Sequence, residues 1–227
     1  MSCSIDEFIF KHPFTCMLAG PSKSGKTTLL TKILVNNKRL IDKQPDQIYY
    51  SYSRWQNSFT KLLQTLPDVK FIEGLPDLDE FNENLNNLLI LDDLMTECGK
   101  NDDIKKLFTI DSNHKNLSVF FLTQNLFSND KNNRTISLNT NYMIIFNNPR
   151  DQSQFFYLAR QMFPKNPQFL EECYNDAVVC NPYGYLFLDF TQTTPTDQRV
   201  STRISFDSSC VIKRIIYTPK LHLKQNK

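Results

Sequence analysis

Gly20-Pro21-Ser22-Lys23-Ser24-Gly25-Lys26-Thr27 decides how this chain reads. The octamer fits G-x-x-x-x-G-K-[ST], a loop whose backbone amides close around a phosphate. Two of the chain's five glycines lie inside it. Residues 14–19, just before it, are a short apolar run that reads as a buried parallel strand. Residues 28–34, just after it, carry apolar side chains at helical spacing. Strand, loop and helix are the context in which the motif works. The amides of residues 22–27 face the β-phosphate, and the helix N-terminus adds its partial positive charge. Lys26 is placed to reach the β- and γ-phosphates, and the Thr27 hydroxyl to ligate Mg²⁺. The expected phosphate cradle is Gly20, Pro21, Ser22, Lys23, Ser24, Gly25, Lys26, Thr27 and Thr28, and the expected ligands are ATP and Mg²⁺.

A second motif matches the first. Leu88-Leu89-Ile90-Leu91 precede Asp92-Asp93, the Walker B pattern. A buried strand brings carboxylates to its C-terminal edge, where open α/β sheets bind ligands. Asp92 is the expected Mg²⁺ ligand, and Asp93 the residue that polarises the attacking water. Residues 118–124 read as a further strand ending in polar side chains. In ATPases with a catalytic acid, a strand inserted between the two Walker strands carries a polar residue that senses the γ-phosphate. Gln124 both donates and accepts and is the first choice, with Asn125 second. An arginine finger adds about 10³–10⁵ in rate and is often supplied by another subunit. Arg134, in a loop read at 128–134, and Arg150, in Asn147-Asn148-Pro149-Arg150-Asp151, are the candidates. Arg150 also reads as a salt-bridged helix start beside Asp151.

Outside these motifs the chain alternates strands and helices. Strands are expected at 47–52, 69–73, 142–146 and 185–190, with an edge strand near 201–206. Helices are expected at 57–66, 78–85, 102–108 and 151–162. Short apolar runs separated by helices imply a mostly parallel α/β sheet flanked by helices on both faces. With 227 residues, one P-loop NTPase domain over 1–227 is expected, its core at about 10–206 and a basic tail at 207–227. After Asp207 the tail has no acid and carries Lys213, Arg214, Lys220, Lys224 and Lys227. It reads as a solvated tail, or as a contact to DNA phosphate or a portal-like partner. Lys131 and Arg134 are possible pore contacts to DNA. Trp55 reads as core or interface packing, or as a stacking partner for adenine.

Composition narrows the classes. A net charge of +2 neither requires nor excludes nucleic acid. The six cysteines form no C-x-x-C pair, so reduced thiols in an intracellular protein are expected. Neither a secretory signal nor an apolar stretch near the ~20 residues of a membrane span is apparent.

The ordered set of Gly-Pro-Ser-x-Ser-Gly-Lys-Thr, Leu-Leu-Ile-Leu-Asp-Asp-Leu, Thr-Gln-Asn and Phe-x-Asn-Pro-Arg-Asp resembles the genome-packaging ATPases of the FtsK–HerA superfamily. The likeness is nearest to poxvirus-type enzymes and those of Maverick/Polinton-like elements and adintoviruses. Asn181-Pro182-Tyr183-Gly184-Tyr185-Leu186-Phe187-Leu188-Asp189 is similar to a stretch near the end of that domain. The resemblance covers about residues 10–206. It implies a homo-oligomeric ring that threads double-stranded DNA into a capsid, with a capsid or capsid-vertex partner. It also implies a place in the host cytoplasm or nucleus, and in the virion. Lys23 departs from the pattern, because these loops often have glycine there. A nucleotide or small-metabolite kinase is the alternative. It needs an arginine-rich lid, and residues 150–180 hold only Arg150 and Arg160. A nucleotide-dependent switch without turnover is the third reading, and Asp93 and Gln124 argue against it.

Overall fold

The computed structural model describes residues 1–94, 97, 106–108, 115–127, 131–179, 182–204, 206 and 213–219. In chain order the elements are β1 (Ser2–Glu7), β2 (Thr15–Ala19), α1 (Lys26–Val35), α2 (Asn37–Leu40), β3 (Gln47–Tyr52), α3 (Asn57–Thr65), β4 (Lys70–Glu73), β5 (Asn87–Asp92) and β6 (Leu117–Thr123). They continue with α4 (Lys131–Leu138), β7 (Tyr142–Phe146), α5 (Ser153–Met162), α6 (Pro167–Val179), β8 (Tyr185–Asp189), β9 (Val200–Thr202) and β10 (Lys213–Thr218).

Among the described residues ten strands join one sheet in the order β1-β10-β9-β8-β7-β2-β6-β5-β3-β4. From β7 to β4 every pairing is parallel. From β7 to β1 every pairing is antiparallel. Strands β2, β5, β6, β7 and β8 are buried along their whole length, as strands covered on both faces must be. Alternate residues point to opposite faces. Met17 and Ala19 pack with Phe155, Leu158 and Leu170 of α5 and α6. Cys16 and Leu18 pack with Leu30 and Ile33 of α1 and Phe59 of α3. This is the expected α/β fold with helices on both faces.

Several local expectations need correction. The helix expected at 78–85 is a single 3₁₀ turn, Leu78–Glu80. Side chains compete for the backbone there. Asp77 accepts the Asp79 amide at 2.9 Å, Asn82 accepts the Asn84 amide at 3.0 Å, and Asn87 donates to the Asn82 carbonyl at 2.8 Å. The loop read at 128–134 is helical from Lys131, so Arg134 stands on α4. Ile136, fully buried, ties that polar helix to the core. Helix α6 was not anticipated, although Phe169, Leu170, Cys173, Tyr174 and Ala177 form one buried stripe. Most of the helix expected at 102–108 lies outside the described residues.

The largest correction is at the C-terminus. The supposed edge strand, β9, is interior, because β10 pairs with it and β1 pairs with β10. Residues 213–218 are therefore sheet, and Arg214 is 5% exposed rather than solvated. Its guanidinium lies over the rings of Phe8 and Phe187, 5.0 and 5.9 Å from their centroids, and 3.9 Å from Asp189. Lys220, Lys224 and Lys227 lie outside the described residues.

Candidate functional site

The site forms at the C-terminal edge of β2, β6 and β5. The Gly20 amide donates to the Thr123 carbonyl at 3.1 Å, which ties the start of the loop to the end of β6. A Cβ at Gly20 would stand 2.7 Å from Phe146 Cβ, so only glycine fits. Within the turn the Ser24 amide donates to Pro21 at 3.3 Å. Lys23 and Gly25 take left-handed backbone, with φ of +65° and +103°. A Lys23 in this conformation explains why glycine suits the position. Helix α1 begins at Lys26 with no acid in its first turn, so its N-terminal partial charge is open to an anion.

The Lys26 ammonium folds back onto the loop and donates to the carbonyls of Gly20 at 2.6 Å and Pro21 at 3.0 Å. Burial lowers its pKa, and the charges of Asp92 and Asp93 oppose that shift. Thr27 and Thr28 follow on the first turn.

Strand β5 ends at Asp92, which is 5% exposed. The Tyr50 hydroxyl, from β3, donates to Asp92 Oδ2 at 2.7 Å. Burial raises the Asp92 pKa. The Tyr50 hydrogen bond opposes that rise, Asp93 adds to it, and Lys26 opposes it. Asp93 turns out of the strand with φ +58° and is exposed. Its Oδ1 accepts from Gln124 Nε2 at 3.1 Å. Gln124 comes one residue after β6, and β6 lies between β2 and β5. The inserted strand expected from the sequence is thus present, and Gln124 at its end touches Asp93. Asn125 is held in a turn, its amide donating to Thr123 Oγ1 at 3.3 Å.

Arg134 and Arg150 are both exposed, and neither lines the cavity at the loop. Arg150 forms no ion pair with Asp151. Asp151, just before α5, instead accepts from the Ser153 amide at 3.0 Å and from Gln154 Nε2 at 2.8 Å, both within the first turn of the helix. Gln154 also accepts the Phe127 amide at 2.9 Å, linking the loop after Gln124 to the loop that carries Arg150. Trp55 packs edge-on against Phe59 at 5.4 Å and is absent from the cavity wall, whereas Gln56 lines it.

The cavity beside the loop measures about 940 Å³. It extends along α1 to Tyr183, Arg203 and Phe206, residues to which the sequence reading gave no role. The Tyr50 contact was also missed, since only the β3–β5 register brings it to Asp92. Among the described residues no three His, Cys, Asp or Glu side chains cluster as a metal site. Among them, no helix is long and apolar enough to cross a membrane.

No protein-family model and no curated sequence matches the chain. Solved structures do. The genome packaging NTPase B204 from Sulfolobus turreted icosahedral virus 2, in complex with AMP, is 14% identical with a TM-score of 0.55, over 84% of this chain and 96% of that one. Its AMPPCP complex is 13% identical with a TM-score of 0.54, over 84% and 97%. B204, the DNA-packaging ATPase from Sulfolobus turreted icosahedral virus, is 11% identical with a TM-score of 0.55, over 85% and 98%. At these identities the likeness is one of fold, and the chain has the α/β fold of P-loop NTPases in a form shared with a viral genome-packaging enzyme.

Proposed function

We propose that the chain is an ATP-hydrolysing motor that translocates double-stranded DNA and packages viral or virus-like DNA into a capsid. It works as a homo-oligomeric ring inside the host cell. The observation that carries this reading is the Gln124–Asp93 hydrogen bond at 3.1 Å, on neighbouring strand ends beside the phosphate loop. A loop that only bound nucleotide would have no use for a carboxylate held by a γ-phosphate sensor.

The roles follow from the residues. The amides of the loop and the N-terminus of α1 hold the β-phosphate. Lys26 exchanges the Gly20 and Pro21 carbonyls for the β- and γ-phosphates. Thr27 and Asp92 offer hard oxygen donors, the kind that Mg²⁺ selects. Bound there, Mg²⁺ would offset phosphate charge. Asp93 accepts the proton of the attacking water, and Gln124 holds that water in line. An exposed arginine, Arg134 or Arg150, reaches the nucleotide of the next subunit.

ATPase activity with and without duplex DNA, alongside a mass measurement, tests the reading. Stimulation by DNA in an oligomer supports it. Phosphate transfer to a small acceptor would reassign the chain as a kinase. ATP binding with no turnover would make it a switch.

A further inference from the structure

Beyond the phosphate loop, the cavity wall comes from the segment that leads into β8 and from the end of β9 and the residues just after it. Arg203 stands out on that wall. Its φ is +52°, a backbone conformation that a non-glycine residue keeps only when its surroundings impose it. The surroundings do so here. On one side Thr202 Oγ1 donates to the Tyr185 carbonyl at 2.5 Å. On the other, the Ile204 amide donates to the Tyr185 hydroxyl at 2.9 Å. Thr202, Ile204 and Tyr185 are all buried. Both neighbours of Arg203 are thus anchored to one tyrosine, and Arg203 itself is exposed and lines the cavity. Among the described residues it forms no ion pair.

The rest of this wall is chemically consistent. Tyr183 is 62% exposed and sits against the loop, 3.3 Å from where a Gly25 Cβ would lie. Ile204 and Phe206 add apolar surface, and Lys32 lies 6.0 Å from the centroid of the Phe206 ring. Among the described residues no carboxylate lines the cavity, while Lys23, Lys26, Lys32 and Arg203 do. The phosphates of a nucleotide account for the loop half. They do not account for an exposed phenol, a planar guanidinium and an apolar floor at the far end. A guanidinium stacks on aromatic faces, and a tyrosine ring does the same.

We infer that this far wall is a nucleoside subsite, in which Tyr183 and Arg203 contact the base of a nucleoside triphosphate held by the same chain. The strained backbone at Arg203 then serves to present its guanidinium to the ligand. This rests on reading residues 20–28 as the triphosphate cradle, and it adds the second half of the site.

Calorimetric titration with two probes, ATP and inorganic triphosphate, separates the halves. Both are measured with Mg²⁺ on the full chain and on Tyr183→Ala, Arg203→Gly and Lys26→Ala. Arg203→Gly suits the left-handed backbone, so a folding defect is not expected from it. Losing a base-stacking partner is worth about 5- to 150-fold in affinity. Tyr183→Ala and Arg203→Gly should each weaken ATP by a factor in that range and leave inorganic triphosphate unchanged. Lys26→Ala should weaken both probes. Unchanged ATP affinity in both wall variants overturns the subsite, as does an equal loss of both probes, which would mark the wall as structural support for the loop. If the unaltered chain binds neither probe, the cradle reading fails, and the subsite falls with it.

Discussion

The Tyr50 hydroxyl donates to Asp92 Oδ2 across 2.7 Å, from one strand to the next. Asp92 is buried, and burial raises its pKa against the pull of that hydroxyl. The folded carboxyl therefore binds its proton more tightly than the unfolded one. The stability cost of ionising it is absent below the unfolded pKa and complete above the folded one. Tyr50→Phe removes a group that stabilises the charged form, so the pKa rises further and the cost grows. A hydrogen bond to a charged group is worth about 1.5–3 kcal/mol, and Tyr50→Phe should lower stability by that order at pH 7. The gap to the unaltered protein should narrow as pH falls. Thermal unfolding of both proteins from pH 5 to 8 checks this. A gap that widens towards acid would show that Tyr50 does not support the carboxylate.

The Gln124–Asp93 pair predicts a split between binding and turnover. Asp93→Asn keeps an oxygen to accept from Gln124 and loses the charge that accepts a proton. ATP affinity should stay within a few-fold, while kcat falls by about 10²–10⁴, the usual contribution of a general base. Gln124→Ala should lower kcat with the same sparing of affinity. If Asp93→Asn abolishes ATP binding in the presence of Mg²⁺, Asp93 is a metal ligand instead.

Lys23 offers a test of strain. Its φ of +65° costs an L-residue about 1–2 kcal/mol. Glycine escapes that cost but makes the unfolded chain more disordered by roughly 0.4–1 kcal/mol. Lys23→Gly should therefore leave stability unchanged or raise it by up to about 1.6 kcal/mol. Denaturant titration measures the difference. A clear loss of stability would mean the Lys23 side chain contributes packing or charge that offsets its backbone.

These residues also show what the sequence could reveal. β3 and β7 match their expected bounds, because apolar runs between turn signals are local information. The insertion of β6 beside β2 was reachable from motif order, since a polar strand end after two acids implies a sensor strand. Local signals failed where long-range contacts decide. α4 is polar, and Ile136 ties it to the hydrophobic core. β10 looks like a charged tail until β1, about two hundred residues earlier, pairs with it. Tyr50 and Arg203 carry no motif, and only strand register and the clamp by Tyr185 place them.

Arg134 and Arg150 are exposed and do not line the cavity beside their own chain's loop, and the role proposed for them is at a neighbour's nucleotide. Mixing Lys26→Ala chains with Arg134→Ala or Arg150→Ala chains tests this. Each variant alone should be inactive. A mixed ring contains interfaces with an intact loop and an intact arginine, and activity should return at an intermediate ratio for the variant that removes the finger. No recovery for either arginine at any ratio would exclude both from a trans role.

The C-terminal strand gives the largest predicted effect on stability. Among the described residues, β10 is the sole partner of β1 and one of two partners of β9. Its Ile216 and Tyr217 are 2% and 1% exposed. Burying two such side chains is worth about 3–6 kcal/mol as an upper figure. A chain ending at Phe206 should lose much of that, a large share of the roughly 5–15 kcal/mol that holds an ordinary domain. It should also leave Asp189 without Arg214, which now lies 3.9 Å away. Asp189 keeps three donors from Thr191 and Thr194, so the lost ion pair is the smaller term. The single change Arg214→Met leaves a buried carboxylate without its partner, a loss of about 3–5 kcal/mol when nothing compensates the charge. With the three donors to Asp189 kept, it should cost less than that and less than the truncation, which loses the same pair together with the strand. Thermal unfolding of the two variants ranks the effects. A truncated chain as stable as the full one would mean that residues 213–218 are a solvated tail after all.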